Sequence, residues 1–142
     1  MSINELTNQK LFEFILQNKC DLSNTNLSNI DASIFNFTNL EELYLNENKL
    51  TTLPKKISEL TNLKVLSLSD NLLEKLPFSI CQLTQLEYLY LAGNHLQKLP
   101  KNIVKLKKLK WLTICDNEQL ILNGEQKKWM NKLLNNGCKI IY

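Results

Sequence analysis

The feature that most constrains the fold is an apolar pattern that returns at a fixed interval along the chain. Four segments start at Leu40, Leu63, Leu86 and Leu109, each 23 residues after the last. The three complete segments follow the pattern LxxLxLxxNxLxxLPxxIxxL, and the fourth follows it as far as Asn117, with Ile114 in place of the third leucine. A fixed period in this range is typical of repeat architectures, in which stacked units bury an apolar face that none could bury alone. The pattern therefore predicts a solenoid.

The pattern resembles that of the leucine-rich repeat family, in a 23-residue variety with a Leu-Pro pair and a following Ile. The resemblance covers residues 20 to 122 directly. It implies an α/β fold: a short right-handed arc of about five repeats, with parallel strands on the concave side and irregular or short helical segments on the convex side. The asparagines after each strand are expected to bond backbone groups in the turns. They are Asn48, Asn71, Asn94 and Asn117.

Departures from the pattern at both ends predict caps. Cys20 lies one period before Leu43, in a degenerate first repeat in which Thr25 replaces the asparagine. Residues 4–18 have the spacing of an amphipathic helix, and residues 125–136 predict a second helix, followed by a short strand from Cys138. We therefore divide one domain, 1–142, into an N-terminal cap (1–19), repeats (20–122) and a C-terminal cap (123–142). Two caps favour a complete, stand-alone protein.

The residues that alternate with the strand leucines are predicted to face the hollow of the arc. They change from repeat to repeat, so stacking does not dictate them. Tyr88, Tyr90 and Trp111 predict an adjoining aromatic cluster, with Tyr44 two repeats away; such residues are enriched at binding hot spots, although tyrosine also suits strands. The predicted partner-binding residues are Glu42, Tyr44, Asn46, Ser67, Asp70, Tyr88, Tyr90, Trp111 and Thr113.

These residues predict a non-enzymatic module that binds a partner protein on its concave face through an aromatic and acidic patch. A basic or Arg-bearing segment would suit this patch. The alternative is a nucleic acid or an anionic membrane surface bound through the lysines of segment 98–110. A net charge of +3 and the lack of interleaved exposed aromatics favour a solvated convex face instead. We expect a monomer rather than a homo-oligomer formed through the aromatic patch.

The sequence contains few motifs that are typical of catalysis or metal binding. His95 is the only histidine, and the four cysteines include no C-x-x-C pair, so neither a zinc site nor a catalytic triad is predicted. Cys115 is placed at an outward strand position beside Asp116, and a thiol enzyme built on it is the enzymatic alternative. We expect no enzyme, no cofactor and no metal. The N-terminal sequence fits neither a signal peptide nor a membrane span, which favours a cytoplasmic location and leaves other secretion routes open.

Overall fold

The computed structural model describes residues 16–142, and within them six short parallel strands form one open sheet in chain order. Each strand pairs in register with the next, so that Leu43, for example, lies opposite Leu66. This arrangement confirms the predicted α/β solenoid. The strands are β1 (Lys19–Asp21), β2 (Glu42–Tyr44), β3 (Val65–Ser67), β4 (Tyr88–Tyr90), β5 (Trp111–Thr113) and β6 (Lys139–Ile141).

A short 3-10 helix follows each of the strands β1 to β4 on the far side of the repeat. Pro54, Pro77 and Pro100 each precede one of these helices with extended backbone, which their fixed φ favours. In the first repeat Asp31 takes the proline position, and its carboxylate accepts the Ser33 N–H at 2.9 Å. The helices are Ala32–Asn36, Lys55–Glu59, Phe78–Gln82 and Lys101–Lys105.

The core is a continuous stack of the inward-facing leucines. The central strand leucines are fully buried, and the degenerate first repeat contributes Cys20 and Leu22 to the same core. Phe37, one period before Leu60, is only half-buried, whereas Phe35 two residues earlier is completely buried. Phe35 thus fills the interior of the first repeat, at a position that the pattern leaves variable.

The repeated asparagines bond the backbone as predicted. Asn71 is representative: its Oδ1 accepts the Leu50 N–H at 3.0 Å, and its Nδ2 donates to Leu45 O at 2.9 Å and Leu68 O at 3.1 Å. Each buried amide therefore joins its own turn to the turn of the preceding repeat. Thr25 replaces the asparagine in the first repeat. Its hydroxyl donates to Leu22 O of its own turn at 2.7 Å and to the side chain of the next asparagine, Asn48.

The C-terminal helix spans Gly124–Asn135, close to its predicted bounds, and β6 follows it. Asn123 and Gln126 form a capping box at its start. Trp129 Nε1 donates to Leu106 O at 3.2 Å and fastens the helix to the last complete repeat. The helix predicted for residues 4–18 lies outside the described residues, apart from its last few positions.

Candidate functional site

The open face of the sheet carries a hollow of about 510 Å³, which we call the tyrosine hollow. It contains six of the nine predicted partner-binding residues: Tyr44, Asn46, Ser67, Asp70, Tyr88 and Tyr90. Val65 and Ser69 complete the lining. Like the tyrosines, both alternate with the inward-facing leucines, so the same periodicity predicts that they face the hollow. The predicted set did not include them.

The hollow exists because a small residue separates two tyrosines. In the sheet register Tyr44 pairs with Ser67, and Ser67 pairs with Tyr90. Neighbouring strands lie about 4.8 Å apart, so the two tyrosine backbones are about 10 Å apart with a serine between them. Ser67 is 7% exposed and donates from Oγ to Asn46 Oδ1 at 3.1 Å. It forms a fixed, polar floor between two aromatic walls.

Tyr44 is held in place by its own neighbours. Its hydroxyl donates to Glu42 Oε2 at 3.0 Å, and Lys19 Nζ lies 4.8 Å from the ring centroid. Lys19 also approaches the Glu42 carboxylate at 3.9 Å. Burial, and then the hydrogen bond to Glu42, raise the pKa of Tyr44 to about 12. This wall of the hollow is therefore a neutral, oriented phenol at physiological pH.

Tyr90, the opposite wall, and Tyr88 beside it are half-buried. Burial, followed by the proximity of Tyr88, raises the pKa of Tyr90. Among the described residues no lysine lies over either ring, in contrast to Tyr44. These two phenols keep both an apolar surface and a polar handle available to a ligand.

Trp111 and Thr113, also predicted for the site, lie beyond the hollow on β5. Trp111 is next to Tyr88 in the sheet register, as expected, but Lys139 Nζ of β6 lies 4.1 Å from its ring centroid. Its Nε1 is buried and has no hydrogen-bond partner within residues 16–142. Thr113 is 9% exposed, and its Oγ1 accepts the Leu91 N–H at 3.3 Å. The structure thus separates this pair from the six residues of the hollow.

An acidic residue lies at the rim of the hollow. Asp70 is exposed and has a left-handed backbone, with φ of 55°. Gly93 occupies the equivalent position in the next repeat, with φ of 63°, and a Cβ placed there would overlap the Asp70 carboxylate. The glycine therefore leaves the space that the carboxylate occupies at the edge of the hollow.

The surroundings of Cys115 do not activate its thiol. Burial and a hydrogen bond to Asp116 raise the pKa of the Cys115 thiol, which disfavours the thiolate. No disulfide joins the cysteines. In residues 16–142 no group of His, Cys, Asp or Glu side chains is arranged to hold a metal ion. Over the same residues, no helix combines the length and apolarity that spanning a membrane requires.

The lysines of segment 98–110 lie on the surface, and Ile103, Leu106 and Leu109 are buried between them. Two of these lysines link neighbouring repeats. Lys110 Nζ lies 2.6 Å from the Glu87 carboxylate, and Lys108 Nζ donates to Gln85 Oε1 at 2.6 Å.

The equivalent residues Glu41, Lys64, Glu87 and Lys110, which alternate in charge along the stack, form two separate pairs. Glu41 bonds Lys64 at 2.7 Å, and Glu87 bonds Lys110. The hydrogen bonds to these carboxylates raise the pKa of both lysines. Because all four side chains are largely solvated, the pairs favour the register more than they add stability.

Comparisons with known proteins agree with this fold. The family model for a leucine-rich repeat region matches residues 14–133. A leucine-rich repeat protein of Leptospira interrogans is 39% identical over 81% of this chain, with a TM-score of 0.69. The leucine-rich repeat ectodomain of a receptor kinase from Arabidopsis thaliana is 26% identical over 67% of this chain, with a TM-score of 0.61. An internalin from Listeria monocytogenes, 20% identical over 87% of this chain with a TM-score of 0.67, shares the fold.

The chain corresponds to only part of each of these structures. The matches span 28% of the Leptospira protein chain, 54% of the Arabidopsis ectodomain and 33% of the internalin. No curated protein matches the chain.

Proposed function

Because this chain belongs to the leucine-rich repeat family, we propose that it is a non-enzymatic module that binds a partner protein in the tyrosine hollow. Solenoids of this kind present extended concave surfaces, and binding is the work that such surfaces perform. The observation that carries the proposal is the hollow itself. It gathers three tyrosines and an acidic residue from three neighbouring strands and turns, at positions that the repeat leaves free to vary.

The chemistry of the hollow favours a cationic side chain of the partner, arginine in particular. A planar guanidinium stacks on aromatic faces and bonds carboxylates, and Tyr44 and Tyr90 provide two faces with Asp70 at the rim. Lys19 already lies over the outer side of this site, against the Tyr44 ring. The chain thereby uses at its own edge the same cation–aromatic contact that we propose for the partner.

The rigidity of the hollow supports tight binding. Ser67 is bonded to Asn46, and Tyr44 is bonded to Glu42, so these side chains lose little freedom when a ligand enters. Preorganisation of this kind improves affinity by lowering the entropy lost on binding. We expect the partner segment to be extended, since it must cross strands that are about 4.8 Å apart.

The test compares wild type with the double variant Tyr88→Ala and Tyr90→Ala. Binding of labelled Arg-bearing peptides, measured by fluorescence anisotropy, is expected to weaken about 30-fold, corresponding to a hot-spot loss of about 2 kcal/mol. Tyr142→Ala is the matched control, because Tyr142 is 78% exposed and lies outside the hollow. Light scattering on the same proteins separates partner binding from self-association through these tyrosines.

Two results would count against the proposal. Equal loss of binding in the Tyr142 control would mean that the peptide recognises exposed tyrosines wherever they lie. Unchanged binding in the double variant would mean that the peptide binds elsewhere. Ser67→Val gives an independent check. The larger valine side chain makes the tyrosine hollow shallower but leaves both tyrosines in place, and it is expected to weaken binding as well.

A further inference from the structure

A second and larger hollow, of about 1100 Å³, shares no lining residue with the tyrosine hollow. It lies beside the 3-10 helices Phe78–Gln82 and Lys101–Lys105 and the start of the C-terminal helix. Buried Leu76 and Leu99 belong to its lining. We call it the lysine groove and define it by Lys75, Phe78, Lys98, Lys101 and Ile121.

Two large apolar side chains at this groove are exposed although the repeat does not require them. Phe78 is 59% exposed and Ile121 is 76% exposed. The equivalents of Phe78 in the sister repeats are Ala32, Lys55 and Lys101, and those of Ile121 include Thr52, Lys75 and Lys98. Repeats that stack equally well with small or charged residues show that neither side chain serves stacking. Two exposed apolar groups at one groove are the signature of an interaction surface.

The groove is also positively charged. Lys75 and Lys98 are neighbours through a parallel backbone bridge, and Lys101 follows on the same surface. Within the described part of the chain none of the three has an ion-pair partner within 4.0 Å, whereas Lys64 and Lys110 are paired.

Two further features bear on the charge of the groove. The start of the C-terminal helix, with its partial positive charge, lines one end. Glu118 is the one acidic residue of the lining, against three lysines. The groove thus attracts anionic groups and has an apolar base to offer them.

We propose that the lysine groove docks an extended acidic segment of a partner protein, with an apolar side chain between its acidic residues. Lys75, Lys98 and Ile121 occupy equivalent positions of three consecutive repeats, so they span about 10 Å at the usual strand spacing. An extended chain covers about 3.3 Å per residue, and the contact therefore involves a core of about three residues. The exposed apolar side chains Phe78 and Ile121 at the groove favour a ligand with an apolar group among its charges, which a peptide supplies and a sugar–phosphate backbone does not.

The probe is a labelled peptide in which glutamates flank a single leucine, and its binding to the full chain is measured by fluorescence anisotropy. Lys98→Glu combined with Lys101→Glu is expected to weaken binding at least about tenfold, or about 1.4 kcal/mol. The control, Lys49→Glu combined with Lys56→Glu, makes the same change in net charge at exposed lysines outside the groove. It is expected to retain binding within about twofold, because neither of these lysines lines the groove.

The apolar part of the proposal is tested with variants that copy sister repeats and are therefore expected to fold. Phe78→Ala introduces the residue of the first repeat, and Ile121→Thr introduces that of the second. Both are expected to weaken binding of the leucine peptide several-fold. They are expected to leave the weaker binding of a serine-substituted peptide unchanged.

Four outcomes would overturn the proposal. They are no binding of the leucine peptide, equal losses in groove and control variants, no preference for leucine over serine, and groove-dependent binding that is tighter to phosphatidylserine vesicles or to a single-stranded oligonucleotide. Because the Tyr88→Ala and Tyr90→Ala variant leaves the groove intact, it should still bind the acidic peptide. The two proposals can therefore fail separately.

Discussion

Truncating an asparagine of the buried ladder should destabilise the fold more at the first position of the ladder than in its middle. The ladder consists of Asn48, Asn71, Asn94 and Asn117, one in each successive turn, and every side chain is less than a tenth exposed. Fraying at the ends of a repeat stack would suggest the opposite order, because terminal units have fewer neighbours. The hydrogen bonds of the individual amides decide between these expectations.

In the middle of the ladder, Asn71→Ala leaves a single backbone group without a partner. The Leu50 N–H donates to Asn71 Oδ1 and has no other acceptor in the described chain. The two buried carbonyls that Asn71 serves, Leu45 O and Leu68 O, each keep the amide of an adjacent ladder asparagine. One unsatisfied buried N–H and the weakened carbonyl bonds together should lower the free energy of unfolding by about 3 kcal/mol.

At the first position of the ladder, Asn48→Ala leaves two groups without partners. The backbone N–H groups of Thr25 and Leu27 both donate to Asn48 Oδ1, at 3.1 and 2.8 Å. The Leu22 carbonyl keeps only the Thr25 hydroxyl. The Thr25 N–H is only partly buried, so this second unsatisfied group should raise the total loss to about 4 kcal/mol, within the cost of about 1–3 kcal/mol for each such group.

Urea unfolding at equilibrium, with linear extrapolation to water, gives the free energies for this comparison. Asn62→Ala is the control: this asparagine is exposed and donates one bond, to Thr38 O at 2.9 Å, so its loss should cost less than about 1 kcal/mol. If Asn71→Ala proves as costly as Asn48→Ala, or costlier, then counting unsatisfied groups is the wrong account of the ladder.

Three further predictions concern single contacts. Gly93→Ala should destabilise the fold by about 1–2 kcal/mol at its positive φ, and by less in an Asp70→Ala background, as a double-mutant cycle from urea unfolding would measure. With the pKa of Tyr44 raised from 10.0 to about 12, the folded state holds this proton more tightly than the unfolded state. Its contribution to stability is therefore complete below pH 10 and is lost as the pH rises towards 12; ultraviolet titration should detect this ionisation, and Glu42→Gln should shift it to lower pH. Trp111→Phe should change the free energy of unfolding by less than about 1 kcal/mol, because the buried, unpartnered Nε1 is removed along with some apolar area.

The sequence predicted the repeating part of the fold well. Each strand leucine is confirmed by sister leucines at the same position, and the register of 23 residues follows from the alignment alone. Burial and backbone bonding impose the same demands on every repeat, so four copies of one pattern act as independent evidence. Burial was harder to predict where the copies differ. In the degenerate first repeat the interior is filled by Phe35, at a variable position, rather than by Phe37, which is one period before Leu60.

The candidate site was harder to predict than the fold, for a physical reason that Trp111 illustrates. Periodicity placed its backbone correctly beside Tyr88. Whether its ring is available depends on Lys139, which comes from β6 after the C-terminal helix and has no equivalent in the repeat pattern. Side-chain contacts between the last repeat and a segment of different architecture cannot be obtained by extending the period. Ser67, by contrast, lies within the repeat, and the period alone places it between Tyr44 and Tyr90.

A repeat protein supplies its own reference for deciding which residues serve function. At each position the residues of the other repeats show which side chains are compatible with stacking. A side chain that is larger or more apolar than stacking needs requires another explanation. Tyr90 is such a residue, since Ser67 at the same position in the preceding repeat suffices for the sheet. Phe78 is another, since Lys55 and Lys101 begin equally well-formed 3-10 helices. Tyr90 and Phe78 lie at separate hollows, one with an acidic rim and one lined by lysines, and the two proposals accordingly assign them ligand segments of opposite charge.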